Sequence, residues 1–272
     1  MPVRKRILIV EDDPGVRESL KASLDAPDRQ IESASVGLAA LRSIESEPFD
    51  LIIADVSLIE GIHKARPDAK VVATSAAHAP DKMIEALRER AFTYIGKPFA
   101  GNHVTDLVNR ALSCASWQDD VEVLSAGSRW LGLCMRSKME AVHRVLPFLR
   151  EMMIEIPEGK RDSLITAIRE MLYNAIEHGA GYDPEKRVTI THVRTERALL
   201  YYVRDPGKGF SLDKLEHAAV SNPQCSPIEH AELRERLGLR PGGFGMLIAR
   251  QLVDELIYNE QGNEVLLVKY IS

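Results

Sequence analysis

The first 115 residues alternate short apolar runs with stretches of helical periodicity. Val and Ile dominate the apolar runs, as is typical of buried parallel strands. The predicted strands cover residues 6–10, 31–33, 51–54, 71–74 and 94–95. The predicted helices cover residues 14–24, 37–46, 81–90 and 103–112. This alternation predicts an α/β domain with a five-stranded parallel sheet and helices on both faces.

The connection after the third strand is short. Fourteen residues (56–69) separate Asp55 from the next strand region. A crossover that includes its helix takes at least ~10–12 residues. The third helix is therefore expected to have only about two turns.

The second part of the chain has a different order of strand and helix patterns. Strands are predicted at residues 121–124, 130–135, 188–193 and 198–203, and helices at 138–153, 161–177 and 247–256. Pro147 is expected to kink or split the first of these helices near Leu146. The polar segment 116–125 is interpreted as a linker, which divides the chain into domains at 1–115 and 126–272.

Composition places the protein among soluble globular chains. Of its 272 residues, 45% are hydrophobic and 28% are charged. The odd number of scattered cysteines (Cys114, Cys134 and Cys225) indicates neither a disulfide framework nor a zinc site and fits a reducing cytosol. No apolar window is long enough for a membrane helix, and no signal peptide is recognisable. We therefore expect a cytoplasmic protein without membrane association.

Charge is spread evenly between the two parts. Residues 1–115 contain 15 Lys+Arg and 17 Asp+Glu, and the remainder contains 20 and 23, which gives the total of −5. Neither part has the basic excess that binding to a phosphate backbone needs. Direct DNA binding is not expected.

Polar side chains gather where the predicted parallel strands end. They are Glu11, Asp12 and Asp13 after the first strand, Asp55 after the third, Thr74 closing the fourth and Lys97 after the fifth. The carboxyl ends of these strands meet at one edge of the sheet. Carboxylates gathered there repel one another unless a divalent cation lies among them. Isolated loop acids are a sufficient explanation for any one residue, but a poor one for the whole set.

This first domain resembles the flavodoxin-like receiver domain of two-component response regulators. The resemblance implies that Asp55 accepts a phosphoryl group from an upstream phosphodonor kinase. It also implies that Glu11 and Asp12 join Asp55 around Mg²⁺. Thr74, Tyr94 and Lys97 match the switch hydroxyl, the rotating aromatic and the phosphate-contacting cation. The short connection after Asp55 departs from the family pattern and leaves two interpretations, altered phosphorylation or a constitutive packing role.

Glu170, Asn174 and His178 are four residues apart within the long predicted helix, so they share one face. The opposite face carries the apolar stripe of Ile165, Ile168, Leu172 and Ile176, and Gly179 follows where the helix is expected to stop. A carboxylate and an amide one turn apart can hold an activated water and a hard cation. The alternative is an ordinary solvated face.

Two glycine clusters follow. The first is Asp205-Pro206-Gly207-Lys208-Gly209, and the second, Pro241-Gly242-Gly243-Phe244-Gly245, opens an apolar helix. Glycines let backbone amides approach a phosphate chain, and a helix N-terminus attracts anions. Asp205, at a strand end, is placed to accept the exocyclic amine of adenine. Each cluster alone is also compatible with a plain turn.

In this order, the three segments resemble the N, G1 and G2 boxes of the histidine-kinase-like ATPase superfamily, a two-layer α+β sandwich. The amino-acid sequences of these segments are most similar to those of the anti-sigma-factor serine kinase branch. The resemblance implies ATP and Mg²⁺ as cofactors, Glu170 as the catalytic base, Asn174 on the metal and Asp205 on adenine. Four glycines then make room for the nucleotide: Gly207, Gly209, Gly243 and Gly245. Residues 218–239 match a lid, and Arg240 is its candidate cation.

The phospho-accepting partner implied by this branch is an anti-anti-sigma protein of the STAS class, or a sigma-factor-like protein. His143 is not expected to be a phospho-acceptor, because only 31 residues separate it from Asn174 and leave no room for a separate helical hairpin. The sequence thus predicts a receiver that regulates a serine/threonine protein kinase, with a homodimer plausible. Two alternatives stay open: a nucleotide-binding module that sequesters a partner, and an atypical kinase acting on a His in trans.

Overall fold

The architecture is described from a computed structural model, which places residues 4–75, 80–99, 101–209 and 244–271. The chain divides into two units. One comprises Met1–Asp119 with His143–Glu151, and the other comprises Asp120–Val142 with Met152–Ser272. The helix at 139–151 therefore contributes residues to both units. Each unit contains one β-sheet.

The first unit contains a five-stranded parallel sheet in the order β2-β1-β3-β4-β5. Its strands are β1 Lys5–Val10, β2 Arg29–Ala34, β3 Leu51–Asp55, β4 Val71–Ser75 and β5 Thr93–Gly96. Its helices are α1 Pro14–Leu24, α2 Leu38–Ser46, α3 Ile59–Ala65, α4 Pro80–Arg88 and α5 Gly101–Ser113. The predicted α/β fold and all five predicted strands are confirmed.

The central strands are buried on both faces because helices cover both sides of the sheet. Every residue from Ile7 to Val10 is at most 2% exposed, which explains why β1 reads as an unbroken apolar run. The predicted short third helix is also confirmed. It has seven residues after a 3-10 turn at Val56–Leu58.

The second unit contains a six-stranded antiparallel sheet in the order β10-β11-β9-β8-β7-β6. Its strands are β6 Val121–Gly127, β7 Trp130–Arg136, β8 Arg187–Arg194, β9 Ala198–Arg204, β10 Glu255–Tyr258 and β11 Glu264–Tyr270. The remaining helices are α6 Met139–Glu151, α7 Glu158–Asn174 and α8 Gly245–Leu252. Alternate residues of β7, β8 and β9 are buried, and α7 contacts β9, β11 and α8. A layer of helices on one face of a sheet is the predicted α+β arrangement.

The structure differs from the expectations at three places in these elements. The helix α6 runs through Pro147 without being split there. The last predicted helix ends at Leu252, and residues 255–258 form β10 instead. The apolar residues that follow Leu252 do not extend the helix. Those of β10 pair with β11 as an antiparallel strand. The segment interpreted as a linker contains Trp117, which is 4% exposed in the core of the first unit, and the start of β6.

The long helix α7 does not end at Gly179 as predicted. After Asn174 the backbone widens into a π-helical turn over Ala175–Ala180, and Gly181 ends it in the left-handed conformation at φ +67°. Single π turns occur frequently at functional sites. Within the part of the chain that the structure places, no helix combines the length and apolarity needed to span a bilayer.

Candidate functional site

Glu170 and Asn174 lie beneath the start of α8. A Cβ atom added to Gly245 would lie 3.0 Å from Glu170 Oε2 and 3.6 Å from both Nδ2 and Oδ1 of Asn174. The Glu170 side chain is 15% exposed, and its Oε1 lies 3.4 Å from Nη2 of Arg169. The two residues therefore do not lie on an ordinary solvated face. They face the glycine that opens α8.

The π turn brings Gly179 against Asp205. A Cβ atom on Gly179 would lie 2.2 Å from Asp205 Cγ, and one on Gly207 would lie 2.7 Å from Asp205 Oδ1 and 2.8 Å from Gly179 Cα. Any side chain at either glycine would displace the carboxylate or the backbone. The sequence predicted Gly207 as a site residue. Gly179 was interpreted as a helix stop, and its close approach to Asp205 was missed.

Burial raises the pKa of the Asp205 carboxyl above its usual value. Asp205 Oδ1 accepts a hydrogen bond from the Gly207 amide at 2.7 Å, which opposes that shift. Tyr258, on β10, has a pKa raised by burial and by the neighbouring Asp205. Its hydroxyl donates to Met171 Sδ at 3.3 Å on α7. Asp205 thus lies in a partly buried recess beside an aromatic ring.

The turn between β10 and β11 holds the Asp205 loop from the other side. The Asp205 amide donates to Asn263 O at 3.0 Å, and Asn263 Nδ2 and Gln261 Nε2 donate to the carbonyls of Gly207 and Lys208 at 3.4 Å. Sequence reasoning missed this contribution. The Asn-x-x-Gly-Asn stretch from Asn259 to Asn263 between two apolar runs was the signal for a hairpin.

The other residues predicted for the nucleotide site either lie apart from Glu170, Asn174 and Asp205 or fall outside the described residues. His178 does not join Glu170 and Asn174, because the π turn changes the helical register, and its side chain is 57% exposed. Lys208 is exposed. Gly209 has a φ of +74°, and its Cα lies so close to Gln261 that a Cβ atom would meet the Gln261 carbonyl oxygen at 1.8 Å. Arg240, Gly243 and the candidate lid at 218–239 lie outside the described residues.

In the first unit, Asp55 ends β3 beside Thr74 of β4. Asp55 is half-buried. Its Oδ1 accepts hydrogen bonds from the Ser57 amide at 3.0 Å and from Ser57 Oγ at 2.7 Å. Thr74 is 2% exposed and pairs on its other side with Ile95 of β5. The predicted phospho-acceptor and switch hydroxyl therefore occupy adjacent positions at one edge of the sheet.

The other acidic residues at this edge are engaged with protein groups. Lys97 Nζ lies 2.5 Å from Glu11 Oε2, and the Val36 amide donates to Asp12 Oδ1 at 2.7 Å. Asp13 caps α1 by accepting from the amides of Val16 and Gly15, which lowers the pKa of its carboxyl. Asp13 therefore serves the helix rather than the acidic edge.

Among the residues that the structure places, no group of three or more Asp, Glu, His or Cys side chains is arranged to hold a metal ion. The expected convergence of Glu11, Asp12 and Asp55 is thus not present as an assembled cluster, because Glu11 is paired with Lys97. The donors at this edge are nevertheless hard carboxylate oxygens. Asp12 and Asp55 each use only Oδ1 in the bonds described above. That donor chemistry suits Mg²⁺, which needs few protein ligands.

Tyr94 lies inside the first unit, with 1% of its surface exposed. Burial raises the pKa of its hydroxyl to about 12, while a hydrogen bond with Ser75 opposes the shift. Ser75 follows Thr74 directly in β4. Thr74, Ser75 and Tyr94 are thus adjacent on two paired strands.

Two protein-family models match separate parts of the chain. The response regulator receiver domain matches residues 7–109, and the histidine kinase-like ATPase domain matches residues 135–269. These ranges contain the Asp55 edge and the Glu170 site respectively.

The similar proteins include response regulators. Response regulator protein FleR of Pseudomonas aeruginosa is 33% identical over 113 residues, which is 39% of this chain and 24% of FleR. Response regulator MprA of Mycobacterium avium is 30% identical over 125 residues, 43% of this chain and 55% of MprA. The chain thus spans between a quarter and about half the length of these relatives.

Among solved structures, a receiver domain protein from Methanospirillum hungatei is 27% identical with a TM-score of 0.37, covering 40% of this chain and 94% of that one. A response regulator from Thermotoga maritima is 24% identical with a TM-score of 0.39, covering 41% of this chain and 100% of that one. Residues 7–109 of this chain are thus similar to the receiver domain of response regulators, and residues 135–269 are similar to the histidine kinase-like ATPase domain.

Proposed function

We propose that the protein is an ATP-dependent serine/threonine protein kinase whose activity on a partner protein is controlled by a phosphorylatable receiver. The observation that carries this proposal is the joint placement of Glu170 and Asn174 against Gly245. A base and a metal-binding amide under a helix N-terminus are the arrangement needed beside a triphosphate.

In this proposal Asp205 reads the adenine amine. Its carboxylate lies in a recess where Gly179 and Gly207 admit no side chain. Burial strengthens a hydrogen bond to a carboxylate that stays ionised, because water does not compete for it. The hairpin tip at residues 259–263 holds the backbone of the same loop.

For transfer, Glu170 accepts the proton of a serine or threonine hydroxyl on the partner. The hydroxyl oxygen forms a bond to the γ-phosphorus, and the bond from that phosphorus to the β,γ-bridging oxygen breaks to release ADP. Asn174 would offer its amide oxygen to Mg²⁺, a hard cation that needs few protein ligands. Such an ion would neutralise charge on the phosphates. The protein's own part is to orient the hydroxyl and hold the base.

In the receiver, Asp55 accepts the phosphoryl group from an upstream phosphodonor. Asp12, Glu11 and Asp55 would supply carboxylate oxygens for Mg²⁺ there. Glu11 would be available for this only when Lys97, its present ion-pair partner, pairs with the phosphoryl group instead. Thr74 is adjacent to Asp55 and is placed to bind a phosphoryl oxygen.

The partner proposed for the kinase is an anti-anti-sigma protein of the STAS class or a sigma-factor-like protein. The test begins with binding of Mg²⁺-ATP by the full chain. Asp205→Asn should weaken ATP binding at least about tenfold, because a buried charge-assisted hydrogen bond is lost. Glu170→Gln should bind ATP normally and transfer no phosphate. The partner is then captured from a lysate and incubated with labelled ATP.

Acid-stable label on the partner, absent with Glu170→Gln, is the expected result. Acid-labile label would instead indicate a kinase that acts on His in trans. ATP binding and partner capture without any transfer would indicate a sequestering module. Unchanged ATP affinity in Asp205→Asn would contradict the assignment of this recess as the nucleotide site.

A further inference from the structure

The receiver unit contains a segment of the chain that lies far from it in sequence. Residues 143–151, the greater part of α6, belong to the same unit as residues 1–119. All six residues from 144 to 149 are buried. A helix buried all round serves packing rather than solvation. This segment is therefore an integral part of the receiver unit, although the receiver family match ends at residue 109.

Arg144 fixes this segment to the receiver. It is 5% exposed, its Nε donates to the Phe92 carbonyl at 3.1 Å, and its Nη1 donates to the Trp117 carbonyl. The guanidinium carbon lies 4.9 Å from the Phe92 ring centroid and 5.0 Å from that of Trp117. A buried cation is tolerated only when it is paired in this way. Arg144 thus ties α6 to the start of β5 and to the segment after α5.

Phe148, one turn further along α6, contacts Tyr94. Their ring centroids are 6.4 Å apart with an interplanar angle of 34°, and both residues are at most 2% exposed. Tyr94 is hydrogen-bonded to Ser75, the neighbour of Thr74, and Thr74 pairs with Asp55. A continuous set of contacts therefore runs from the phospho-acceptor across β4 and β5 to α6. Packed interiors pass on displacements because they have few voids.

We infer that residues 143–151 are the receiver's built-in effector helix, whose packing on Tyr94 and Phe92 responds to the phosphorylation state of Asp55. The inference rests on the proposed function for Asp55 as the acceptor. The interaction surface is the one formed by Phe92, Tyr94 and Trp117, and its occupant is this chain's own α6. Seven residues after the segment, Glu158 begins α7, the helix that carries Glu170 and Asn174.

Hydrogen exchange of the full chain tests this without any nucleotide chemistry. Beryllofluoride with Mg²⁺ serves as the phosphoryl mimic. Exchange of the amides around Asp55 and Thr74 and those of residues 143–151 should both change, the latter by about fivefold or more. Asp55→Asn should abolish both changes. A change around Asp55 with none in residues 143–151 would overturn the inference. No change at either place would overturn the phospho-acceptor assignment and the inference with it.

The Phe148→Leu variant isolates the contact with Tyr94. It keeps an apolar side chain in the helix but removes the ring, so beryllofluoride should still alter exchange around Asp55 while its effect on residues 143–151 is lost. Phe49→Leu is the matched control, since that ring packs on Arg6 at 4.8 Å instead. A full effect on residues 143–151 in Phe148→Leu would contradict the proposed route.

Arg144→Lys tests the attachment itself, because lysine keeps the charge but loses the planar fork. In a Trp130→Phe background, Trp117 is the only tryptophan left. Its accessibility to acrylamide should rise about twofold or more in Arg144→Lys, because the paired guanidinium no longer covers the indole. The control Arg150→Lys, on the same helix, should not change it. Unchanged quenching in Arg144→Lys, with the fold retained by circular dichroism, would show that Arg144 does not hold the segment.

Discussion

His192, on strand β8 of the second unit, is a titratable side chain that is fully buried. It is 0% exposed, and neither ring nitrogen has a hydrogen-bond partner among the described residues. It pairs across the strands with Tyr201, whose ring centroid lies 4.7 Å away. Burial, with a smaller contribution from Arg194, lowers the pKa of His192 to about 4. Its neutral form is therefore the one that the folded protein accommodates.

This depressed pKa makes stability sensitive to acid. In the unfolded chain a histidine titrates near 6.5, so the unfolded state binds the proton first as the pH falls. The contribution is complete above pH ~6.5 and is lost as the pH falls towards the folded pKa of about 4. His192→Phe keeps an aromatic ring beside Tyr201 but cannot bind the proton. When the pH is lowered from 7 to 4.5, the unfolding free energy of the wild type should therefore fall by about 2–3 kcal/mol more than that of His192→Phe.

Urea unfolding at the two pH values measures this difference. The control is His178→Phe, because the side chain of His178 is 57% exposed. That variant should follow the wild type at both pH values. Equal acid sensitivity of His192→Phe and the wild type would mean that His192 is already hydrated or paired in the native state.

At the scale of elements, the β10–β11 hairpin tip supports the loop that carries Asp205. Asn259 Oδ1 accepts from the amides of Gly262, Asn263 and Glu264 at 2.8, 3.1 and 3.2 Å. Gly262 has a φ of +79°, which glycine adopts without strain. One side chain therefore fixes the turn whose other groups bond to Asp205, Gly207 and Lys208.

Asn259→Ala should loosen this turn and weaken ATP binding about three- to tenfold, because several hydrogen bonds that position the Asp205 loop lose their support. ATP titration by calorimetry measures the change. Glu260→Ala, a neighbour in the same turn, should leave affinity within about twofold. Identical ATP affinity in Asn259→Ala and the wild type would indicate that the hairpin tip does not position the Asp205 loop for binding.

The elements that the sequence predicted well are those whose cause is local. The strands β1, β3 and β4 follow from runs of buried apolar residues rich in Val and Ile. Helix α1 begins at Pro14 behind a capping Asp13. The π turn after Asn174 was not predictable in this way, because it accompanies the contact of Gly179 with Asp205 26 residues later. Trp117 lies in a polar stretch, yet it packs in the core of the first unit beside Phe92 and Arg144. Long-range contacts decided both cases.

At the scale of the whole molecule, the route of the chain links the two units. The chain passes from one unit to the other after Asp119, after Val142 and again after Glu151. The receiver unit is therefore completed only by a segment that the second unit brackets on both sides. Units that share a continuous helix in this way are expected to unfold together, since fraying of α6 removes core residues from the first unit.

The two tryptophans allow this to be measured. Trp117 belongs to the first unit and Trp130 to the second, and the chain contains no other tryptophan. Trp130→Phe and Trp117→Phe each leave one reporter. Their fluorescence transitions in urea, each compared with circular dichroism of the same variant, should coincide within each protein. When Arg144→Lys is added to both variants, the midpoint reported by Trp117 in Trp130→Phe should lie at a lower urea concentration than the midpoint reported by Trp130 in Trp117→Phe. If the transitions are already separate with Arg144 intact, α6 does not couple the folding of the two units.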